Sequence, residues 1–226
     1  MIYVTGDVHG YYNFDKLPRF AAEHPELTRE DFLIVAGDFG FWDSDKIKSE
    51  MQRYDELPFT VLFVDGNHEH FATLDALPVE TWQGGKIHRL KENVIHLMRG
   101  QVFTIEGKRF FTFGGATSND KESRIEGIDW FPQEVPGDAD IVEANANLKK
   151  VNFTVDYVVT HTCDEKALYY PAILNARIFH LHPENSILSY FEETVHYTHW
   201  YFGHFHVDAE VTAKKTVLYE KILPVV

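Results

Sequence analysis

Cysteine, basic residues and long apolar runs are all scarce in this chain of 226 residues. Its one cysteine, Cys163, excludes an intramolecular disulfide framework and is typical of a reducing compartment. Lysine and arginine number 21 against 35 acidic residues, a formal net charge of −14, so non-specific nucleic-acid binding is not expected. No apolar run approaches the ~20 residues of a membrane-spanning helix, and residues 1–10 lack the basic region of a signal peptide. We therefore expect a cytoplasmic protein that does not associate with membranes.

Low-complexity tracts and internal repeats are also absent, whereas 44 % of the residues are hydrophobic and 15 % are aromatic. This composition supports a sizeable core and excludes intrinsic disorder. Because no linker divides the chain, we expect residues 1–226 to form a single domain. Histidine, by contrast, is unusually abundant, with 13 residues.

The first half of the chain alternates apolar segments of strand length with amphipathic segments of helical periodicity. Strands are predicted at residues 2–5, 32–36 and 61–64. Helices are predicted between them, one over residues 13–22 with Asn13 as its N-cap and one over 45–57. This order predicts a parallel, layered α/β fold, in which ligands bind at the carboxyl ends of the strands.

The second half is richer in strands and contains one long polar segment. Strands are predicted at residues 94–98, 102–105, 109–113, 155–160, 200–202 and 216–223, and helices at 138–150 and 184–195. Residues 114–138 are punctuated by glycine, serine and proline. A loop of this length inside a domain is usually functional or mobile.

Side chains able to bind a metal ion follow five of the predicted strands. The five motifs are Asp7-Val8-His9, Asp38, Asn67-His68, His161 and His204-Phe205-His206. In the two Asp/His-x-His motifs, residues i and i+2 of an extended segment point the same way, so both side chains can reach one centre. Carboxylate and imidazole ligands together suit manganese, iron or zinc better than calcium or magnesium.

The charge of these candidate ligands favours a phosphate substrate. The seven residues are Asp7, His9, Asp38, Asn67, His161, His204 and His206. Only two of them are anions, so two divalent cations would leave the site with a net charge of about +2, which suits a phosphate dianion. Two metal ions about 3.5–4 Å apart are how many phosphoesterases activate water and stabilise an in-line displacement.

These residues carry a resemblance to a known family. The blocks Gly6-Asp7-Val8-His9-Gly10, Gly37-Asp38, Gly66-Asn67-His68-Glu69, His161 and Gly203-His204-Phe205-His206 resemble the five blocks of the calcineurin-like metallophosphoesterases. They run from residue 6 to residue 206, and the chain is most similar to the small bacterial and phage members. The resemblance implies an α/β fold in the form of a four-layer αββα sandwich of two mixed sheets.

The resemblance also implies a role for each motif residue. One metal ion would be held by Asp7, His9 and His206, and the other by Asn67, His161 and His204. Asp38 would bridge the two ions together with a hydroxide that attacks phosphorus, and Asn67 would also meet the substrate. His68 would protonate the leaving oxygen or stabilise the transition state. Its position beside a +2 site should depress its pKa unless a carboxylate compensates. The two ions would be divalent or trivalent, with manganese preferred to iron or zinc.

One block departs from that of the related Ser/Thr protein phosphatases. Those enzymes have an Asp and an Arg three and four residues after the bridging Asp, where this chain has Phe41 and Trp42. Asp43 or Asp45 is a candidate for the missing carboxylate. A small molecule or a nucleotide is therefore a better candidate substrate than a phosphoprotein.

The missing arginine has a candidate replacement in the 114–138 loop. Arg124 could supply a bidentate contact to phosphate. The alternative, weighed equally, is that Arg124 is a solvated loop charge. The loop resembles a block found in small bacterial and phage members of the family.

The leading hypothesis is a binuclear metal-dependent phosphohydrolase that acts on phosphomonoesters. The alternative within the same fold is a phosphodiesterase or nuclease, acting for example on a nucleotide or cyclic nucleotide, because diester cleavage needs no clamp for a dianion. A non-catalytic interaction module is the third hypothesis. The presence of all seven ligands and of His68 argues against it.

Overall fold

The computed structural model describes residues 1–40, 51–174 and 180–225. Its strands are β1 (Ile2–Thr5), β2 (Phe32–Val35), β3 (Thr60–Phe63), β4 (Val79–Trp82), β5 (Gly85–Lys91), β6 (Val94–Leu97), β7 (Gln101–Ile105), β8 (Lys108–Phe113), β9 (Tyr157–Thr160), β10 (His199–Phe202), β11 (Ala209–Thr212), β12 (Lys215–Val217) and β13 (Ile222–Pro224). Its α-helices are α1 (Lys16–Glu23), α2 (Phe71–Asp75), α3 (Asp138–Lys150), α4 (Glu165–Leu168), α5 (Pro171–Leu174) and α6 (Pro183–Thr194). Short 3₁₀ helices lie at Arg53–Glu56, Lys121–Ser123 and Pro132–Glu134.

The strands form two mixed sheets. One has the order β13-β1-β2-β3-β6-β5-β4 and the other the order β11-β12-β10-β9-β8-β7. Strands β1, β2, β3 and β6 are parallel, as are β8, β9, β10 and β12, while antiparallel strands complete the edges. In each sheet the parallel strands therefore send their carboxyl ends to one edge, where ligand-binding loops are expected.

The two sheets pack face to face with helices on their outer faces. In β2, Ile34 belongs to a buried cluster that joins the two sheets, while its neighbours Leu33 and Val35 pack with Leu17 and Phe20 of α1. Alternate residues of a strand point to opposite faces, so this central strand is apolar on both. The second sheet packs its outer face on α3 and α6. The four-layer αββα arrangement of two mixed sheets is thus confirmed.

Several local predictions differ from the structure. The prediction of Asn13 as an N-cap was wrong: α1 begins at Lys16, and the Asn13 side chain instead donates to the carbonyl oxygen of Asp7. The predicted strand at 216–223 is in fact the end of β12 and the start of β13, which lie in different sheets. Phe41, Trp42, Asp43 and Asp45 lie outside the described residues, as do residues 45–50 of the helix predicted at 45–57.

No helix among the described residues is both long enough and apolar enough to cross a membrane.

Candidate metal centre

All seven predicted ligands come together at the carboxyl ends of the parallel strands. Asp7, Asp38 and Asn67 follow β1, β2 and β3 of the first sheet, and His161 and His204 follow β9 and β10 of the second. His9 and His206 lie two residues further along the first and last of these loops. The cluster is therefore built where corresponding edges of the two packed sheets meet.

Asp7, His9 and His206 form the first group of ligand atoms. The two imidazole Nε2 atoms lie 2.8 Å from each other and 3.4 and 3.2 Å from Oδ2 of Asp7. That oxygen is buried and has no hydrogen bond of good geometry within the described part of the chain. Its partner Oδ1 accepts a hydrogen bond from the backbone N–H of His204, which fixes the carboxylate plane. Three potential ligand atoms thus point at one place.

Asn67, His161 and His204 form the second group. Nε2 of His161 lies 3.1 Å from Oδ1 of Asn67 and 3.2 Å from Nδ1 of His204. The other ring nitrogen of His161 donates to the carbonyl oxygen of Ala36 at 2.9 Å, which turns Nε2 toward the group. The three side chains are buried.

Asp38 lies between the two groups. Its Oδ2 is 3.7 Å from Nε2 of His9 and 3.3 Å from Nε2 of His161. Its Oδ1 accepts the backbone N–H of His68 at 2.8 Å. One carboxylate therefore faces both groups, as a bridging ligand must.

Unusual backbone conformations concentrate at this cluster. His9, Asp38, His204 and His206 have φ values of 51°, 45°, 70° and 52°. Residues other than glycine rarely adopt this left-handed region, and such residues persist where the surrounding structure holds them, often at functional sites.

Glycines make room for ligand side chains that belong to other loops. A Cβ on Gly37 would lie 2.1 Å from Nδ1 of His161. A Cβ on Gly66 would lie 2.1 Å from Oδ1 of Asp38, and one on Gly203 would lie 2.2 Å from Oδ1 of Asp7. Each carboxylate is thus seated against the backbone of a neighbouring loop. Any side chain at either position would displace it.

The carboxylates of Asp7 and Asp38 are buried, so their ionised forms depend on positive charge nearby. Burial opposes ionisation of Asp7, but the imidazoles of His206 and His9 outweigh it and hold its pKa well below its usual value. Burial likewise disfavours a charged His161, yet Asp38 outweighs it and raises the pKa of His161 to about 10. Burial and the neighbouring His161 lower the pKa of His204 to about 3. Protons on some of the imidazoles balance the two carboxylates when no other cation is bound.

The residues fit a pair of metal ions better than they fit protons alone. Three groups of His and Asp side chains have ligand atoms within 4.8 Å of one another: Asp7-His9-His206, His9-Asp38-His68 and Asp38-His161-His204. Two Nε2 atoms at 2.8 Å facing a carboxylate oxygen without a good hydrogen bond satisfy each other fully only through a shared cation. Mixed imidazole and carboxylate ligands suit a first-row transition metal.

His68 stands beside the cluster and contacts Arg124. The guanidinium Nη1 lies 3.0 Å from Nδ1 of His68 and also donates to the carbonyl oxygen of Asp129. The rest of the guanidinium is bound bidentately by Asp120 at 2.9 and 2.8 Å. Burial lowers the pKa of His68, Asp38 opposes the change and Arg124 adds to it. The expected depression is present, but burial rather than a metal charge is its first cause.

A cavity of about 240 Å³ opens over the cluster. Its walls are Asp38, Asn67, His68, Asn119, Asp120, Arg124, His204 and His206. Arg124 of the 114–138 loop therefore lines the cavity, and its charge is shared with Asp120 and His68.

Glu69 and Lys16 support the site without having been predicted to do so. The Glu69 carboxylate accepts the backbone N–H groups of Phe39, Gly40 and Gly66, which ties the loops after β2 and β3 together. The buried Lys16 ammonium donates to the carbonyl oxygens of Gly6, Asp7 and Tyr219. Glu69 stands beside His68 in a quoted motif and was open to prediction, whereas a lysine in an amphipathic helix gives no such signal.

Comparison with known proteins identifies a family for this chain. The chain matches the family described as calcineurin-like phosphoesterase over residues 1–208, a span that contains all seven candidate ligands. No curated protein matches the chain significantly. Among solved structures, a phosphopantetheinyl hydrolase from Mycobacterium tuberculosis is similar, with 17 % identity over 96 % of this chain and 87 % of that one and a TM-score of 0.44.

Replacing Asp38 tests the arrangement of the two groups. After reconstitution with Mn²⁺ and removal of free metal, we expect about two equivalents in the parent protein by elemental analysis. The Asp38→Asn variant should lose most of both, because it removes the one carboxylate that faces both groups.

Asp156→Asn is the matched control, since Asp156 is a hydrogen-bonded carboxylate at the opposite end of β9. It should keep its metal. An unchanged metal content in Asp38→Asn would contradict the bridging position of this carboxylate.

Proposed function

The chain belongs to the calcineurin-like phosphoesterase family and is a metal-dependent hydrolase of phosphoric esters; from the geometry of its site we propose that it cleaves phosphomonoesters at a binuclear centre. The observation that carries this proposal is Asp38, whose one carboxylate faces both groups of ligand atoms. Asp7, His9 and His206 would hold one ion, Asn67, His161 and His204 the other. Manganese is our preferred metal, with iron or zinc as alternatives.

The bound ions would polarise the phosphoryl oxygens and supply an activated water. Around them, the chain orients the ligand side chains and forms the cavity over the cluster. Asp7 and Asp38 are each fixed by a backbone N–H, and His161 is fixed by the Ala36 carbonyl. Metal-binding side chains that are already fixed in place do not have to move when charge develops on the phosphoryl group.

His68 would assist departure of the leaving group. Both ring nitrogens of His68 lie beside the Arg124 guanidinium, Nδ1 at 3.0 Å from Nη1 and Nε2 at 3.5 Å from Nη2. The ring also lines the cavity over the cluster. His68 is thus placed where it would protonate the leaving oxygen or stabilise the transition state by a hydrogen bond.

Arg124 would contact the phosphate from the same part of the cavity wall as His68. A guanidinium next to His68 lies beside the place where negative charge develops. This extra cation favours a monoester, which carries one more negative charge than a diester. The cavity of about 240 Å³ and the −14 net charge favour a small phosphate ester or nucleotide over a phosphoprotein.

A paired assay separates the two ester classes. With Mn²⁺ supplied, an aryl phosphomonoester should be hydrolysed with a higher kcat/KM than the matching diester, and a chelator should abolish both activities. A preference for the diester would make the protein a phosphodiesterase or nuclease. Hydrolysis of neither, by protein shown to hold metal, would favour a non-catalytic interaction module.

Substituting His68 tests the general acid. His68→Ala should retain two equivalents of metal but lose about 10²–10⁴-fold in kcat, the usual contribution of a positioned acid. The loss should shrink for a substrate with a good leaving group such as nitrophenol, because that group departs without protonation. An equal loss for good and poor leaving groups would contradict this role.

Substituting Arg124 tests the phosphate contact. Arg124→Ala should lower kcat/KM for the monoester by about tenfold or more and affect the diester less. Lys121→Ala is the control, because Lys121 is an exposed cation of the same loop. Equal kcat/KM values for Arg124→Ala and the parent protein would remove Arg124 from the site.

A further inference from the structure

The 114–138 loop reaches the metal centre at a second point, through Ser118. The Ser118 hydroxyl accepts a hydrogen bond from Nδ2 of Asn67 at 3.2 Å and donates one to Oε2 of Glu134 at 2.8 Å. The other oxygen of Glu134 accepts the backbone N–H of Ser118 at 2.6 Å. Asn67 is 6 % exposed, Ser118 2 % and Glu134 0 %. The series of hydrogen bonds from Glu134 through Ser118 to Asn67 is therefore shielded from water.

The chemistry of these groups permits one orientation of the Asn67 amide. A hydroxyl has a single proton, and in Ser118 that proton goes to the Glu134 carboxylate, which has none to offer. The hydroxyl oxygen can then only accept from Asn67, so the amide NH₂ must face Ser118. Oδ1 consequently points the other way, to a position 3.1 Å from Nε2 of His161. A metal ion needs that oxygen, since an amide NH₂ is no ligand.

We propose that Ser118 and Glu134 are positioning residues that set the orientation of the Asn67 amide and thereby the affinity of the second metal site. The proposal rests on the metal-binding role given to Asn67 in the proposed function. Residues that orient a metal ligand in this way commonly change metal affinity by about 10–100-fold when they are removed. It also assigns a role to the 114–138 loop that Arg124 alone does not account for.

A second hydroxyl–carboxylate pair next to Ser118 and Glu134 provides a control for testing this proposal. Thr117, the preceding residue, donates its backbone N–H and its hydroxyl to the buried Glu184 at 2.6 and 3.0 Å. The two hydroxyl–carboxylate pairs are thus alike in geometry and burial, and they lie on adjacent residues. Only the hydroxyl of Ser118 also contacts Asn67.

The decisive variants are Glu134→Gln and its control Glu184→Gln, which keep the shape of each buried side chain. In Glu134→Gln the oxygen still accepts the Ser118 N–H, so the new NH₂ faces the hydroxyl. The hydroxyl then accepts from that NH₂ and its proton is released from residue 134, so it becomes available to Oδ1 of Asn67. The reversed amide, which presents NH₂ to the metal, is thereby no longer excluded by the Ser118 hydroxyl. Glu184→Gln reverses only the Thr117 hydroxyl, which has no ligand to turn.

Mn²⁺ binding to metal-free protein, measured by calorimetry, provides the readout. We expect the parent protein to bind two ions, and Glu134→Gln and Ser118→Ala to weaken one of the two sites by about 10–100-fold. Glu184→Gln and Thr117→Val should stay within about twofold of the parent protein. Thermal melting of the metal-free proteins checks that each variant is folded.

An Asn67→Asp background distinguishes orientation from general support. A carboxylate presents oxygen whichever way it turns, so Glu134→Gln should have little further effect on metal affinity in that background. Equal losses in Glu134→Gln and Glu184→Gln, an unchanged affinity in Glu134→Gln, or a full loss in the Asn67→Asp background would each overturn the proposal. Failure of the parent protein to bind two ions would overturn the binuclear function as well, and the two failures are thus distinguishable.

Discussion

The close approach of three ligand atoms around one point is the constraint on which the site depends. Two imidazole nitrogens 2.8 Å apart, with a buried carboxylate oxygen 3.2 and 3.4 Å from them, bring lone pairs together. Without another cation, protons on the imidazoles bind the carboxylate and hold the pKa of Asp7 well below its usual value. A metal ion at this point would take the place of those protons and meet all three ligand atoms at once.

Contacts between loops, rather than within a loop, keep the ligand side chains in position. Asp7 follows β1 in one sheet, yet its carboxylate is fixed by the N–H of His204, which follows β10 in the other. Asp38 follows β2 and is fixed by the N–H of His68 after β3. Left-handed backbone at four of the ligand residues is sustained by this cross-bracing. Bound metal would bridge both sheets, so metal binding and packing of the two sheets should stabilise each other.

The position of the site was open to prediction because it follows local rules. Apolar strands that end in Gly-Asp or Gly-Asn-His are visible in one sequence, and parallel strands bring their ends to one edge. Strand β1 was predicted with its observed bounds, and β2, β3 and β9 to within two residues at either end. Local rules fail where a side chain serves a distant element: Asn13 has the residue type of a helix cap but binds the carbonyl of Asp7 instead. The loop that a given side chain contacts depends on how the two sheets pack. These contacts join residues far apart in the chain, so no short stretch of sequence predicts them.

The acidic composition of the chain is compatible with a phosphate site because of where the carboxyl groups lie. Glu69 and Glu134 are buried carboxyl groups near the cluster whose oxygens accept backbone N–H groups and a hydroxyl, and burial raises the pKa of both. Among the seven ligands only Asp7 and Asp38 are anionic, so two divalent ions would make the ligand set positive by about two charges. Negative charge elsewhere on the surface disfavours large polyanions, while Arg124 lies at the wall of the small cavity over the cluster. A net negative charge on the whole chain is therefore compatible with a site that would become locally positive.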